Sequence, residues 1–167
     1  ELLNTEAASI LLYDDKLNEL RFAAATGSDP HELARIPVPL DGSIAGAIFR
    51  ENKPMIINDV SQDPRHYGGV GQRINFNSQK LVGVPMMIKD RVTGVLEALN
   101  KRDGRQFSES DARILSILAS QAAVAIENAR LYTQTDQALA ARVAELQVMQ
   151  TIDRQLNATL DFDRVMA

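Results

Sequence analysis

Two histidines, no cysteine and a few polar side chains carry whatever chemistry this 167-residue chain can do. The missing thiols exclude disulfides, thiolate catalysis, zinc–thiolate sites and thioether attachment of a cofactor. Ser and Asp residues are present, but none shows the spacing of a nucleophilic triad or a metal-ligand set. His66 lies in a polar stretch, where an imidazole can hydrogen-bond a ligand or coordinate haem; the simpler reading of both His66 and His31 is an exposed side chain. Gly68-Gly69-Val70-Gly71 lacks the Gly-Lys-Ser/Thr ending and the following helix that a P-loop needs. Asp59 closes an apolar run and either accepts a hydrogen bond from a ligand or caps the next turn. Catalysis has little support, and binding is the chemistry to look for.

Bulk composition narrows the class. Net charge of −4 and a pI near 5.2 argue against a nucleic-acid surface, which would show a basic patch. No apolar run approaches the roughly 18 residues of a membrane span, and no signal-peptide pattern is present. These features fit a cytoplasmic protein whose partners are neither nucleic acid nor membrane. Hydrophobic content of 45% is enough for a core. The chain begins at Glu1 and ends at Ala167 inside a helix-like run, so it reads as a piece of a longer protein.

The elements that must position any site follow from periodicity. Ala8 to Asp14 alternates as a strand, Asp14 to Asn18 is a turn, and Leu20 to Ala25 is the hairpin partner. Residues 28–40 hold three prolines and leave little room for long elements. Asp41-Gly42-Ser43 opens a short helix, Ile44 to Glu51, which Asn52-Lys53-Pro54 stops. Met55 to Val60 reads as a third strand. Residues 61–79 form an irregular loop, a kind of segment that is often functional. Leu81 to Lys89 and Val92 to Asn100 are two further strands joined at Asp90-Arg91. Pro85 belongs at an edge or bulge, and Gly83 and Gly94 permit close backbone approach. Hairpin-joined strands with gathered helices predict an α+β fold around an antiparallel sheet.

From Phe107 to about Asn157 there is no Pro or Gly. Ser108 is a good N-cap that Asp111 can answer. A continuous helix here would run roughly 75 Å, too long for one small domain. Its first half carries apolar residues over roughly 220° of arc, which calls for two apolar neighbours: its own sheet and a second copy of the helix. Its second half carries a narrow stripe, Tyr132, Leu139, Val143, Leu146, Met149 or Gln150, Ile152, Leu156 and Leu160. That spacing resembles a coiled-coil seam with polar interruptions at Asp136 and Gln150. A single amphipathic helix folded back on its domain is the alternative. The predicted partner is a second copy of the chain, joined through the Ser108–Leu160 helix.

At this point the residues resemble a family. Ala-Ala-Ser-Ile-Leu-Leu-Tyr-Asp, Gly-Ser-Ile-Ala-Gly, Pro-Met-Ile-Ile-Asn-Asp-Val, Val-Gly-Val-Pro-Met and Thr-Gly-Val-Leu-Glu-Ala-Leu-Asn-Lys follow in the order and spacing of a GAF domain, over about residues 5–132. The resemblance implies a central antiparallel sheet of five or six strands, with helices on both faces. It also implies a ligand cavity on one sheet face, under the short helices and the 61–79 loop. Cyclic-nucleotide GAF domains of the phosphodiesterase type resemble one another in an Asn-Lys…Phe-x-x-x-Asp-Glu pattern. This chain has Asn100, Lys101, Phe107 and Asp111, with Ala112 in place of the Glu. A Lys at a strand end and an Asp one turn into the next helix can also form a structural latch. The tail from Leu146 resembles the opening helix of another GAF domain.

Within such a cavity the candidate ligand-binding residues are Phe22, Ile44, Ile48, Val84, Met86 and Leu96, with Phe76 and Asn77 from the loop, and Asp59 and His66 at the mouth. Each is balanced against a plain core or surface role. The chain is read as a GAF domain over 1–132 and a signalling helix over 133–167. It would sense a small molecule for an output domain in the same protein, a sensor histidine kinase or a cyclase-like enzyme. A ligand-free dimerisation spacer and a cyclic-nucleotide-binding domain are the alternatives. No cofactor is certain; an unidentified small molecule or cyclic nucleotide is the candidate ligand, and without cysteine no bilin can be held by a thioether.

Overall fold

The computed structural model describes residues 3–68 and 76–166, with the side chains of all but Pro30, Asp153 and residues 155–166 among them. The glycine run from Gly69 to Gly71 and the seam positions Leu156 and Leu160 therefore lie outside the described residues or side chains. The chain divides into two compact units, Glu1–Ala125 and Ile126–Ala167.

The first unit is built on one antiparallel sheet. Its strands are β1 (Thr5–Asp14), β2 (Glu19–Ala25), β3 (Pro37–Pro39), β4 (Met55–Ile57), β5 (Leu81–Ile88) and β6 (Arg91–Lys101). They stand in the order β3-β2-β1-β6-β5-β4. The proline-rich connection holds only a four-residue helix, α1 (Pro30–Leu33), and the three residues of β3. Pro37 and Pro39 bound that edge strand, where a missing N–H costs no ladder bond and blunts the edge against foreign strands. Pro85 sits past the stretch of β5 that pairs with β4, one residue before a register shift at Met86/Met87. The third strand is shorter than its sequence suggests. β4 ends at Ile57 because Asn58 turns its amide to Phe107, accepting from its N–H at 2.8 Å and donating to its carbonyl at 3.2 Å.

Two glycines let neighbouring backbone segments approach closely. A Cβ on Gly94 would stand 2.2 Å from the Leu11 carbonyl oxygen, and one on Gly46 would stand 2.1 Å from that of Leu40. Gly46 belongs to α2 (Ile44–Glu51), so that contact lets the helix lie tightly on the chain entering it. Helix α2 is capped at both ends. Ser43 accepts from the Gly46 N–H at 2.9 Å, and Asn52, left-handed at φ 52°, donates its N–H to the Ile48 carbonyl.

Strand alternation separates two faces. On one, Leu11, Leu20, Val38, Leu81 and Val95 pack with Ile44, Ala45 and Ile48 of α2. On the other, the paired residues Val84 and Leu96, Val82 and Ala98, and Met86 opposite Gly94 are buried. With α2 on the first face, closing the second falls to the start of α3 (Glu109–Met166), whose Ala112, Leu115, Ala119 and Ala123 are buried in steps of three, four and four. Small residues there let a helix backbone lie close to a sheet. The side of α3 bearing Ile117 and Val124 is exposed, at 61% and 52%.

The second unit is the continuation of α3, a single helix of 58 residues in all. Leu131, Tyr132, Leu139, Val143, Leu146, Met149 and Ile152 are all exposed along it.

Candidate functional site: a cavity on the α2 face of the sheet

A cavity of about 410 Å³ opens between the sheet and the segments covering its first face. Its floor is the first-face row of the three central strands: Ser9 and Leu11 of β1, Glu97 and Leu99 of β6, and Leu81 of β5. Phe22 and Ala25 of β2, Leu33 of α1 and Val38 of β3 form one wall. Ser43, Ile44 and Ala45 at the start of α2 form another, and His66, Tyr67, Gly68, Phe76, Asn77 and Ser78 come from the loop. A site of this size suits a small metabolite or nucleotide.

The structure brings together five of the ten candidate residues: Phe22, Ile44, His66, Phe76 and Asn77. The other five lie elsewhere, for reasons that can be named. Val84, Met86 and Leu96 point to the second face, because their register partners and the strand period put them there. Ile48 fills rather than lines. A Cβ on Gly83 would stand 2.4 Å from its Cδ1, so Ile48 occupies the space a side chain at 83 would need. Asp59 caps the 3-10 turn Val60–Gln62, accepting from the Ser61 N–H at 3.1 Å and from its hydroxyl.

Glu97 is the site residue that the sequence reading missed. It is a buried carboxyl in the cavity floor, and burial raises its pKa to about 7, against a lesser lowering by Ser9. Its one described hydrogen bond is long: the Ser9 hydroxyl reaches Oε2 at 3.5 Å. A buried carboxyl so weakly satisfied invites a donor. A charged residue in Val-Leu-Glu-Ala-Leu, otherwise apolar, was the available signal.

Two further features define what the cavity can hold. The first residues of α2, Ile44 and Ala45, belong to the cavity wall, and the N-terminal end of a helix favours negative charge; the next N–H, that of Gly46, is taken by Ser43. No Lys or Arg is among the described lining residues. The chain before His66 is held by an ion pair of Asp63 with Arg65 at 2.9 Å, and the hydrogen bond from Arg65 keeps the Asp63 carboxyl below its ordinary pKa. The site therefore offers an acceptor floor and a weakly electropositive wall. Among the described residues no group of three or more His, Cys, Asp or Glu could hold a metal ion.

The Asn100…Asp111 motif lies outside the cavity lining. Lys101 pairs with Asp111 at 2.8 Å and stands 5.8 Å over the Phe107 ring. Asp111 also accepts from the Ser108 N–H at 2.8 Å, while Ser108 caps the helix in return. Burial alone would raise the Asp111 pKa, but the Lys101 ammonium and the Ser108 donors outweigh it and hold it low. The latch expected of Lys101 and Asp111 is thus present. Ala112, where cyclic-nucleotide domains of this pattern have Glu, is itself buried at the start of α3.

Comparison with known proteins agrees with this architecture. The chain is 25% identical over 141 residues to a probable 3',5'-cyclic phosphodiesterase of Caenorhabditis elegans, an alignment covering 79% of this chain and 19% of that protein. It is 27% identical over 111 residues to a dual 3',5'-cyclic-AMP and -GMP phosphodiesterase of Takifugu rubripes, covering 66% of this chain and 12% of that one. The chain thus spans less than a fifth of the length of these relatives. Among solved structures, the GAF domain of an Acinetobacter phosphoenolpyruvate-protein phosphotransferase superposes with a TM-score of 0.66 at 22% identity, covering 80% of this chain and 77% of that one. No described helix is long and apolar enough to cross a membrane. A family model described as GAF domain matches residues 1–127, in keeping with the sheet order, and the chain belongs to the GAF-domain family.

Proposed function

We propose that this GAF domain is the small-molecule-sensing part of a signal-transduction protein, with the ligand seated in the cavity over Glu97. One observation carries the reading: a cavity of about 410 Å³ whose floor holds a buried carboxyl with only a 3.5 Å hydrogen bond. A packed spacer domain has no use for either. The ligand would present a donor, such as an amine or a ring N–H, to Glu97, and apolar surface to Phe22, Leu33 and Phe76. The chain then acts as a sensor, not a catalyst. Its output domain would lie in the same longer protein, a histidine kinase, cyclase or phosphodiesterase being the candidate classes. The exposed apolar stripe of the second unit favours a second copy as partner, because Tyr132, Leu139, Val143 and Leu146 repeat at seam spacing.

A cyclic nucleotide is the more specific reading. It is favoured by the cyclic phosphodiesterase names of the relatives and by the start of α2 in the cavity wall, where the helix N-terminus would favour a phosphate.

Native mass spectrometry of the chain as purified from cells, over a protein concentration series, tests both parts. The expected result is a carried-over small mass, or a one-to-one adduct on adding cAMP or cGMP, with a dimer fraction that rises with concentration. No bound mass, and no adduct with either nucleotide at millimolar concentration, would move the assignment to a dimerisation spacer.

A further inference from the structure

The cavity-lining segment and the start of α3 hang from two adjacent residues. Asn100, just beyond the β5–β6 ladder, is left-handed at φ 50° and buried. Its side-chain oxygen accepts from the N–H groups of Gln79 at 2.8 Å and Lys80 at 2.9 Å. Its side-chain nitrogen donates to the Asn77 carbonyl and the Glu6 carboxylate, both at 2.9 Å. Its own N–H donates to the Lys80 carbonyl at 2.9 Å. Every donor and both acceptor sites of the amide are in use, and most serve the segment that carries Asn77 and Ser78 into the cavity wall. The next residue, Lys101, holds Asp111 and through it the Ser108 cap of α3. A second tie runs alongside: the Lys80 ammonium donates to the carbonyls of Gly104 and Arg105, in the connection to α3.

We propose that Asn100 is a positioning residue that couples the cavity-lining segment Phe76–Ser78 to the first turn of α3. Its side chain replaces the ladder where the sheet ends, so the segment cannot shift without moving the end of β6. That end carries Lys101, and Lys101 carries the helix cap. Neither an apolar core contact nor a single hydrogen bond would give this linkage, because both would let the segment slide while leaving the strand end in place. A ligand touching Asn77 or Phe76 would then bias the helix start without contacting it. The use of this coupling in sensing rests on the ligand reading above, but its existence does not require any ligand.

Reciprocity supplies the test, since two coupled sites must perturb each other equally in free energy. NMR-detected hydrogen exchange would be followed on the ligand-free chain for wild type, Asn100→Asp, Asn100→Ala and Lys101→Met. The informative amides are Gln79 and Lys80 at one end and Ala112, bonded to the Ser108 carbonyl at 3.1 Å, at the other. Lys101→Met is expected to speed exchange at Ala112 and, about fivefold or more, at Gln79 and Lys80, which it does not touch. The Asn100 variants are expected to speed exchange at Ala112 as well as at their own partners. Leu11 and Val95, in the β1–β6 ladder, report whether the fold is intact. If Asn100→Ala unfolds, Lys101→Met alone decides. Unchanged Gln79 and Lys80 in that variant, whatever Ala112 does, would overturn the coupling. A failure of the ligand reading would show separately, as an empty protein in the mass spectrum.

Discussion

The two faces of one sheet are built from alternate residues of the same strands, yet they are different environments. The second face is filled: Val82, Val84 and Met86 are all 0% exposed, and the small residues Ala112, Ala119 and Ala123 of α3 are buried as well. The first face is filled only beside α2, where Ile48 reaches into the space over Gly83. Beyond it the layer opens into a cavity floored by Ser9 and Glu97, which are register partners. The lesson concerns the covering layer. A regular helix with an alanine stripe can follow a sheet along its length. An eight-residue helix covers only part of the sheet, and beside it a gap with polar groups remains.

Truncation should separate the faces most sharply. Met86→Ala leaves a hole in a filled layer and should cost about 2–5 kcal/mol of stability. Phe22→Ala, in a wall already open to the cavity, should cost clearly less despite its larger side chain. Urea denaturation of the two variants, read at the midpoint with unchanged slope, makes the comparison. Equal losses would mean that the first face is packed as tightly as the second.

Glu97→Gln sharpens the contrast by pH. The Glu97 pKa rises from an ordinary 4.5 to about 7 in the folded chain, so between those values the folded state holds a proton that the unfolded state has lost. Stability therefore falls as pH rises through that window, and the deficit is complete above the folded value. Glu97→Gln should remove this slope, gaining up to about 3 kcal/mol at pH 8 and little at pH 4. Thermal melts of both proteins from pH 4 to 8 measure it, and parallel curves would place Glu97 in water rather than in a buried floor.

The smallest effect belongs to the wall. Ser43→Ala removes the N-cap of α2 and should cost about 1 kcal/mol. Because Ser43 also borders the cavity, affinity for the proposed ligand should drop with it, which titration of both proteins with cAMP and cGMP would reveal. A stability loss with unchanged affinity would confine Ser43 to capping.

Much of the fold was legible from period and punctuation. Ile44 to Glu51 is bounded as its Ser43 and Asn52 signals predict, and Ser108 with Asp111 marks the start of the long helix. The Lys101–Asp111 latch was readable because both partners belong to one short motif. Choosing a sheet face was not, since Leu-Val-Gly-Val-Pro-Met-Met-Ile is apolar on both sides and nothing in it separates Val84 and Met86 from Leu81. Glu97 could have settled that choice, because a lone carboxylate in an apolar strand points to the face that is not fully packed. The role of Asn100 was hidden for another reason: three of the four partners of its side chain are backbone groups some twenty residues earlier in the chain, and no side-chain pattern announces them.

The proton on Glu97 has a calorimetric consequence. A ligand that donates a hydrogen bond or a positive charge to this carboxyl favours its ionised form, so binding near pH 7 must expel part of a proton into solution. The heat of binding will then include the heat of the buffer taking that proton up, and will differ between buffers of different ionisation enthalpy. Affinity for such a ligand should rise with pH until the carboxyl is ionised before the ligand arrives, which would make the domain a reader of acidity as well as of its ligand.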